Sequence, residues 1–271
     1  MRFLPPLLCS LVLAGTAHAE STLRFERQGA IVKELDLPRL RQLSAPVPIT
    51  TDDPYYGKRK RFVALPLAPL LVGAFAQSVD QLRGQQFLLK AKDGYGVPIS
   101  GERLLEGGAA LAIADRTGKW EPIGPGRADP APFYLIWAGA EQRDLKTHPR
   151  PWQLVTIEIV SWQEAYRHTL PPLEDAAAVR GAALFKERCI RCHAINQEGG
   201  RVGPDLNIPQ AILEYRPLGQ VRAYIQNPQI FRYSVMPSNP DLSPQALDDL
   251  VAYFSAMQHR KHDPSGDPKT K

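Results

Sequence analysis

Cysteine is scarce in this 271-residue chain, with three in all: Cys9, Cys189 and Cys192. Cys9 lies within the first apolar stretch, which leaves two, too few for a disulfide framework. Methionine is as scarce, also three, so any role for its sulfur has few candidates. Charge of one sign is missing too: 33 Lys and Arg stand against 28 Asp and Glu, a formal net charge of +5. That balance, without a stripe of interleaved aromatic and basic residues, excludes nucleic acid as a partner. It leaves room for a basic patch that steers an acidic protein. Beyond residue 19 no hydrophobic run approaches transmembrane length, and no internal repeat is visible. Hydrophobic content of 44% and charged content of 23% exclude disorder or a collagen-like fibre as the main state.

Residues 1–19 have the pattern of a cleavable secretory leader. Arg2 gives the positive start, 3–14 the apolar part, and Ala17-His18-Ala19 the small-x-small cleavage pattern. Without a twin-arginine pair, export of an unfolded chain to the periplasm is expected, with no integral membrane segment once the leader is removed. Cys9 lacks a convincing lipobox.

What the chain has in excess is proline, 26 residues, which suits short strands, turns and extended connections. From 20 to 166 the pattern is mixed α+β. Strands are expected at 23–25, 30–35, 47–51 and 61–64, strand-like alternation at 87–91 and 154–162, apolar runs at 109–114 and 133–137, and short helices at 37–43 and 67–76. On the last strand Val155, Ile157 and Ile159 would share a face. The turn-rich Asp52-Asp53-Pro54-Tyr55-Tyr56-Gly57 precedes Lys58-Arg59-Lys60-Arg61, read as a solvated hairpin. His148 and His168 read as surface histidines, and Trp137, Trp152 and Trp162 as core or interdomain anchors. Residues 167–175, with Pro171-Pro172, form a stiff linker. From 176 to 260 the texture is helical, with helices at 176–191, 218–227 and 244–258. Ser243 suits the N-cap of the last and Pro244 its first position. Residues 261–271 are expected to be a flexible tail.

The chemistry concentrates in Cys189-Ile190-Arg191-Cys192-His193, the c-type haem attachment pattern. Two thiols two residues apart can reach the two vinyl positions on one edge of a porphyrin, and the next residue brings an imidazole to the iron. A thioredoxin-like site would want a strand before the cysteines, where the pattern here is helical. Zinc would want two further Cys or His ligands at similar spacing. One haem c is therefore expected, with thioethers at Cys189 and Cys192 and His193 on the iron. The second axial ligand should be soft or an imidazole. Met236, in the non-helical Tyr233-Ser234-Val235-Met236-Pro237, is the candidate. Met257 sits in a core-like helical pattern, and His259 and His262 are terminal and poorly constrained.

With Gly181, Phe185, the haem motif, Gly203-Pro204-Asp205-Leu206, Asn227-Pro228, Met236-Pro237 and Tyr253, residues from about 175 to 259 resemble a class I-type monohaem cytochrome c domain. The resemblance implies that the Pro204 carbonyl accepts a hydrogen bond from the axial imidazole, which orients the ring. It also implies that Leu218, Tyr224 and Val235 line the haem crevice.

Residues 35–43, Pro48-Ile49-Thr50-Thr51, Phe62-Val63-Ala64-Leu65-Pro66-Leu67, Leu70-Leu71, Lys92-Asp93-Gly94-Tyr95 and Phe133-Tyr134-Leu135-Ile136-Trp137 resemble the molybdopterin-binding domain of the sulfite oxidase superfamily. That family holds molybdenum through a cysteine thiolate, and this region has no cysteine. No molybdenum cofactor is expected.

The fold expected is multi-domain: an α+β sulfite-oxidase-like amino-terminal domain and an all-α cytochrome c carboxy-terminal domain. The expected function is single-electron transfer between a redox enzyme, such as a periplasmic dehydrogenase, and an acceptor, with the first domain docking the partner. The alternative is a haem-containing subunit or variant of a sulfite-oxidase-like oxidoreductase with a non-covalently held cofactor. A sensor in which a small ligand displaces Met236 is a third reading.

Overall fold

The computed structural model describes residues 21–124 and 126–264; the expected leader and the end of the expected tail lie outside them. The chain begins with β1 (Thr22–Arg27), β2 (Ala30–Asp36) and α1 (Leu37–Leu43), followed by β3 (Val47–Asp53) and β4 (Lys58–Pro66). Next come α2 (Leu67–Phe75), α3 (Val79–Arg83), β5 (Gln86–Ala91), β6 (Gly96–Ser100) and α4 (Gly101–Leu104). Then follow β7 (Ala109–Asp115), β8 (Tyr134–Trp137), β9 (Leu154–Val160) and α5 (Trp162–Ala165). Among the described residues these strands form a five-stranded sheet in the order β2-β1-β9-β5-β6 and a four-stranded sheet in the order β3-β4-β7-β8. The amino-terminal region is thus mostly β with short helices.

The core between these elements is built from alternating strand residues such as Leu23, Phe25, Phe87 and Leu89, closed by Leu70, Leu71 and Phe75 of α2. Helix α1 starts where Asp36 accepts a hydrogen bond from the Arg39 amide at 3.0 Å, with Pro38 in its first turn. Strand β9 departs from the one-faced expectation. It runs between β1 and β5, parallel to the first and antiparallel to the second, and is buried along nearly its whole length. Its Glu158 is covered too, and it is satisfied by Lys90 at 2.7 Å and the Gly29 amide at 2.6 Å. A central strand covered on both faces loses the alternation that an open face would show.

Two histidines differ from the surface reading. His148 is buried, packed edge-on against Trp137, with Nε2 3.0 Å from Glu106 and 2.9 Å from Arg103. His168 places Nδ1 2.6 Å from Glu198 and stacks on His262 with ring centroids 3.6 Å apart. The basic run of β4 is not uniformly solvated either: Lys60 is buried against Asp115 and Glu121.

The helical region follows a short 3-10 turn at Arg167–Thr169. It contains α6 (Ala176–Arg188), a hairpin of β10 (Ala194–Ile195) and β11 (Glu198–Gly199), α7 (Ile212–Tyr215), α8 (Leu218–Gln226) and α9 (Pro244–Gln258). Asp175 caps α6 through the Ala178 amide, and Ser243 caps α9 through the Ala246 amide. α6 and α9 cross at Gly181, where an added Cβ would overlap the Asp249 carbonyl. Beside the crossing, Arg180 forms a two-pronged ion pair with Asp249 at 2.8 and 2.9 Å. Phe185, Tyr253 and Phe254 fill the contact with ring centroids 5.5 to 6.1 Å apart. Trp162, Ala165 and Tyr166 pack into this second core.

Candidate functional site

Helix α6 delivers the cysteines. Cys189 is its C-cap, its amide bonded to the Phe185 carbonyl at 2.8 Å. The next turn winds tightly: the Cys192 and His193 amides both donate to the Cys189 carbonyl, at 3.0 and 2.9 Å. Ile190 points into the core and anchors the turn. Both thiols and the imidazole then line one cavity of about 730 Å³. The volume lies within the range of small-molecule and cofactor sites.

The hairpin after His193 makes this turn rigid. Asn196 and Gln197 take positive φ (57° and 65°), the paired left-handed conformation of a tight two-residue hairpin loop. The returning strand bonds the Gly200 amide to the Ile190 carbonyl at 2.7 Å and the Gly203 amide to the Cys192 carbonyl at 2.8 Å. Gly203 lies flat against the His193 ring, where a Cβ would overlap it. His193 Nδ1 donates to the Pro204 carbonyl at 2.9 Å. With Nδ1 committed, Nε2 is the nitrogen left for a metal. Burial pulls the His193 pKa down, against the Pro204 bond, and favours the neutral, ligating form.

Burial acts in the opposite direction on the thiols. It pushes Cys189 up to about 12 and Cys192 up to about 11, the second raised further by the neighbouring Asp93 carboxylate. A redox Cys-x-x-Cys needs an accessible, low-pKa thiolate; these two stay protonated, and neither is in a disulfide. What the site offers is a pair of aligned thiols beside an imidazole, in an apolar cavity whose walls include Leu206, Ile212, Val221, Ile225 and Phe254. That donor set suits a haem: two sulfurs for its edge, one nitrogen for its iron, apolar walls for its faces.

Met236 lines the same cavity, half-buried, with its amide bonded to Ser234 Oγ at 3.1 Å and its carbonyl accepting from Gln229 at 3.2 Å. The other sulfur and imidazole candidates lie elsewhere. Met257 is buried in the helical core, His259 is exposed at the end of α9, and His262 stacks on His168. Tyr224 and Val235 line the cavity, but Leu218, the first residue of α8, stays half exposed outside it. Arg188, Arg216 and Arg232 also line it and bring positive charge to a largely apolar wall. Isolated arginines in a sequence carry no signal of such convergence, since what unites them is the folding of separate segments around one cavity.

Residues 178–258 match the family model for cytochrome c. Over 108 residues the chain is 28% identical to a protein named cytochrome c oxidase subunit 2 of Alkalihalophilus pseudofirmus, a stretch of 37% of this chain and 32% of that protein. The chain thus spans about a third of that relative's length. The carboxy-terminal region is a cytochrome c domain, and that domain implies a haem and a redox partner.

Proposed function

We propose that the protein is a periplasmic carrier of single electrons, with one haem c bound through thioethers to Cys189 and Cys192. His193 and Met236 would hold the iron, and the amino-terminal domain, a variant of the sulfite-oxidase-like fold, docks the partner that donates or accepts the electron. When bound, the haem supplies the one-electron couple. The chain's residues hold it, orient it and keep water from it. The observation that carries this reading is the convergence of both thiols, the His193 imidazole with its Nδ1 committed to Pro204, and the Met236 thioether on one apolar cavity. A methionine ligand raises the potential, and with two protein ligands no iron position is left for a substrate, so electron transfer is favoured over catalysis.

Two measurements test it. Haem should stay with the polypeptide through denaturation and acid extraction, and the Cys189→Ala, Cys192→Ala double variant should release it. The oxidised protein should show the Met–iron charge-transfer band, and Met236→Ala should abolish it. Retention of the band in that variant sinks the ligand assignment.

A further inference from the structure

The side of the haem-attachment turn that faces away from the cavity is occupied by the amino-terminal domain. The Gly96 amide, at the start of edge strand β6, donates to the Arg191 carbonyl at 3.0 Å. Arg191 reaches back with its guanidinium, Nη1 to the Leu145 carbonyl at 3.1 Å and Nη2 to the Lys146 carbonyl at 2.8 Å. Ten residues later, past the β10–β11 hairpin, the Arg201 amide donates to the Gly94 carbonyl at 2.8 Å. Gly94 takes φ +89°, and an added Cβ there would sit 2.9 Å from Arg201 Cβ. Gly96 is buried, and an added Cβ would be 3.9 Å from Gly200 Cα. Three bonds therefore converge on the one residue that separates Ile190 from Cys192, and a fourth fixes the strand that returns beneath it.

Trp162, Ala165 and Tyr166 pack into the second core at the domain boundary. Away from that boundary the hydrogen bonds focus on the attachment turn, and the two loops that make them, 93–96 and 144–148, come from separate parts of the domain. No described residue before Arg188 lines the cavity itself. The domain covers the back of the turn and leaves the mouth of the crevice free.

We infer that the amino-terminal domain is a fixed cap on the haem-attachment turn, with Arg191 as the positioning residue, and that this cap keeps the Cys192 side of the haem dry and its potential high. The inference rests on the haem reading above. Water at that edge would stabilise the more positively charged oxidised state, so opening the junction lowers the potential. Electron exchange with a partner then takes place at the crevice mouth.

The test uses the full-length holoprotein and two variants that keep the charge near the haem. Gly94→Val acts from the amino-terminal side, by overlap with Arg201 and by forcing a β-branched residue into positive φ. Arg191→Lys keeps the cation but loses the planar fork that bridges two carbonyls. Potentiometric titration, limited proteolysis across residues 167–175 and small-angle scattering are read on each. The expected result in both is a lower potential and faster cleavage between the domains, with the charge-transfer band of the Met-ligated iron retained. A wild-type potential in both variants overturns the cap, whether or not the domains separate. If one variant takes up no haem, the other decides. Absence of covalent haem from the wild-type protein would instead sink the haem reading, a separate failure read before the variants.

Discussion

The His193 ring is held on two sides by backbone: the Pro204 carbonyl at Nδ1 and the face of Gly203. A side chain at position 203 cannot share that space. Gly203→Ala must therefore either tilt the imidazole away from Pro204 or push the 200–206 segment off the attachment turn, and the Gly203 amide bond to Cys192 resists the second. Overpacking of this kind costs about 1–3 kcal/mol. The expected outcome is a protein less stable by that amount, with a shifted Met–iron band because the ring no longer presents Nε2 at the same angle. Denaturant unfolding and the oxidised spectrum check it together, and an unchanged band would show that the ring's orientation does not depend on Gly203. This site was largely legible in the sequence, since Cys189, Cys192 and His193 are neighbours whose geometry one turn of chain determines. His148 was not legible, because the partners that make it a core residue, Arg103 and Glu106, stand more than forty positions away.

At the scale of elements, β9 was readable as a strand, but the one-faced alternation expected of it is lost because both its faces are covered. Strand β5 alternates Phe87, Leu89 and Ala91 inward as expected, whereas β9 hides Thr156 and Glu158 as well as Ile157 and Ile159. Strand β4 shows what a string of four basic residues conceals. Alternation sends Lys60 inward, where its ammonium lies 4.4 Å from the Tyr56 ring centroid and bonds Asp115 and Glu121, while Lys58 also bonds Glu121. The hydrogen bonds from Lys58 and Lys60 hold the Glu121 carboxyl down at about 2, from an ordinary 4.5. A carboxyl depressed in the folded state adds stability above its unfolded value and loses it as pH falls through the folded one. Between about pH 4.5 and about pH 2 the amino-terminal domain should weaken, and Glu121→Gln should flatten that part of the profile while lowering stability at neutral pH. Because Glu121 is itself partly exposed, the difference should be modest. Denaturant midpoints of both proteins across that window test this; parallel profiles would mean the lysines gain nothing from the carboxylate.

For the whole molecule the question is how the connection between two cores, with its Pro171-Pro172, is kept in place. Among the described residues Asn196 is the junction. It is buried in the hairpin directly after His193, its Nδ2 donates to the His168 carbonyl at 2.7 Å and the Arg260 carbonyl at 2.9 Å, and its Oδ1 accepts from Asn207 at 2.8 Å and the His262 amide at 3.1 Å. One side chain thus ties the connection, the end of α9 and the haem-binding hairpin, and Tyr253 adds a further bond to Thr169 at 2.8 Å. The residues from 261 onward were expected to fray, yet Lys261 pairs with Glu214 at 2.7 Å and His262 lies on His168; the sequence shows polar residues there, not the distant side chains they meet. Asn196→Gly isolates the junction, because glycine accepts the positive φ that asparagine holds. It removes four hydrogen bonds at roughly 1 kcal/mol each, so a loss of about 2–4 kcal/mol is expected, with quicker proteolysis between residues 167 and 175. The Cys192-side contacts of Arg191 would remain, so the potential should change less than in Gly94→Val. A larger drop in potential than in Gly94→Val would mean that the ties of Asn196 to the connection, and not the contacts at Arg191, govern the potential.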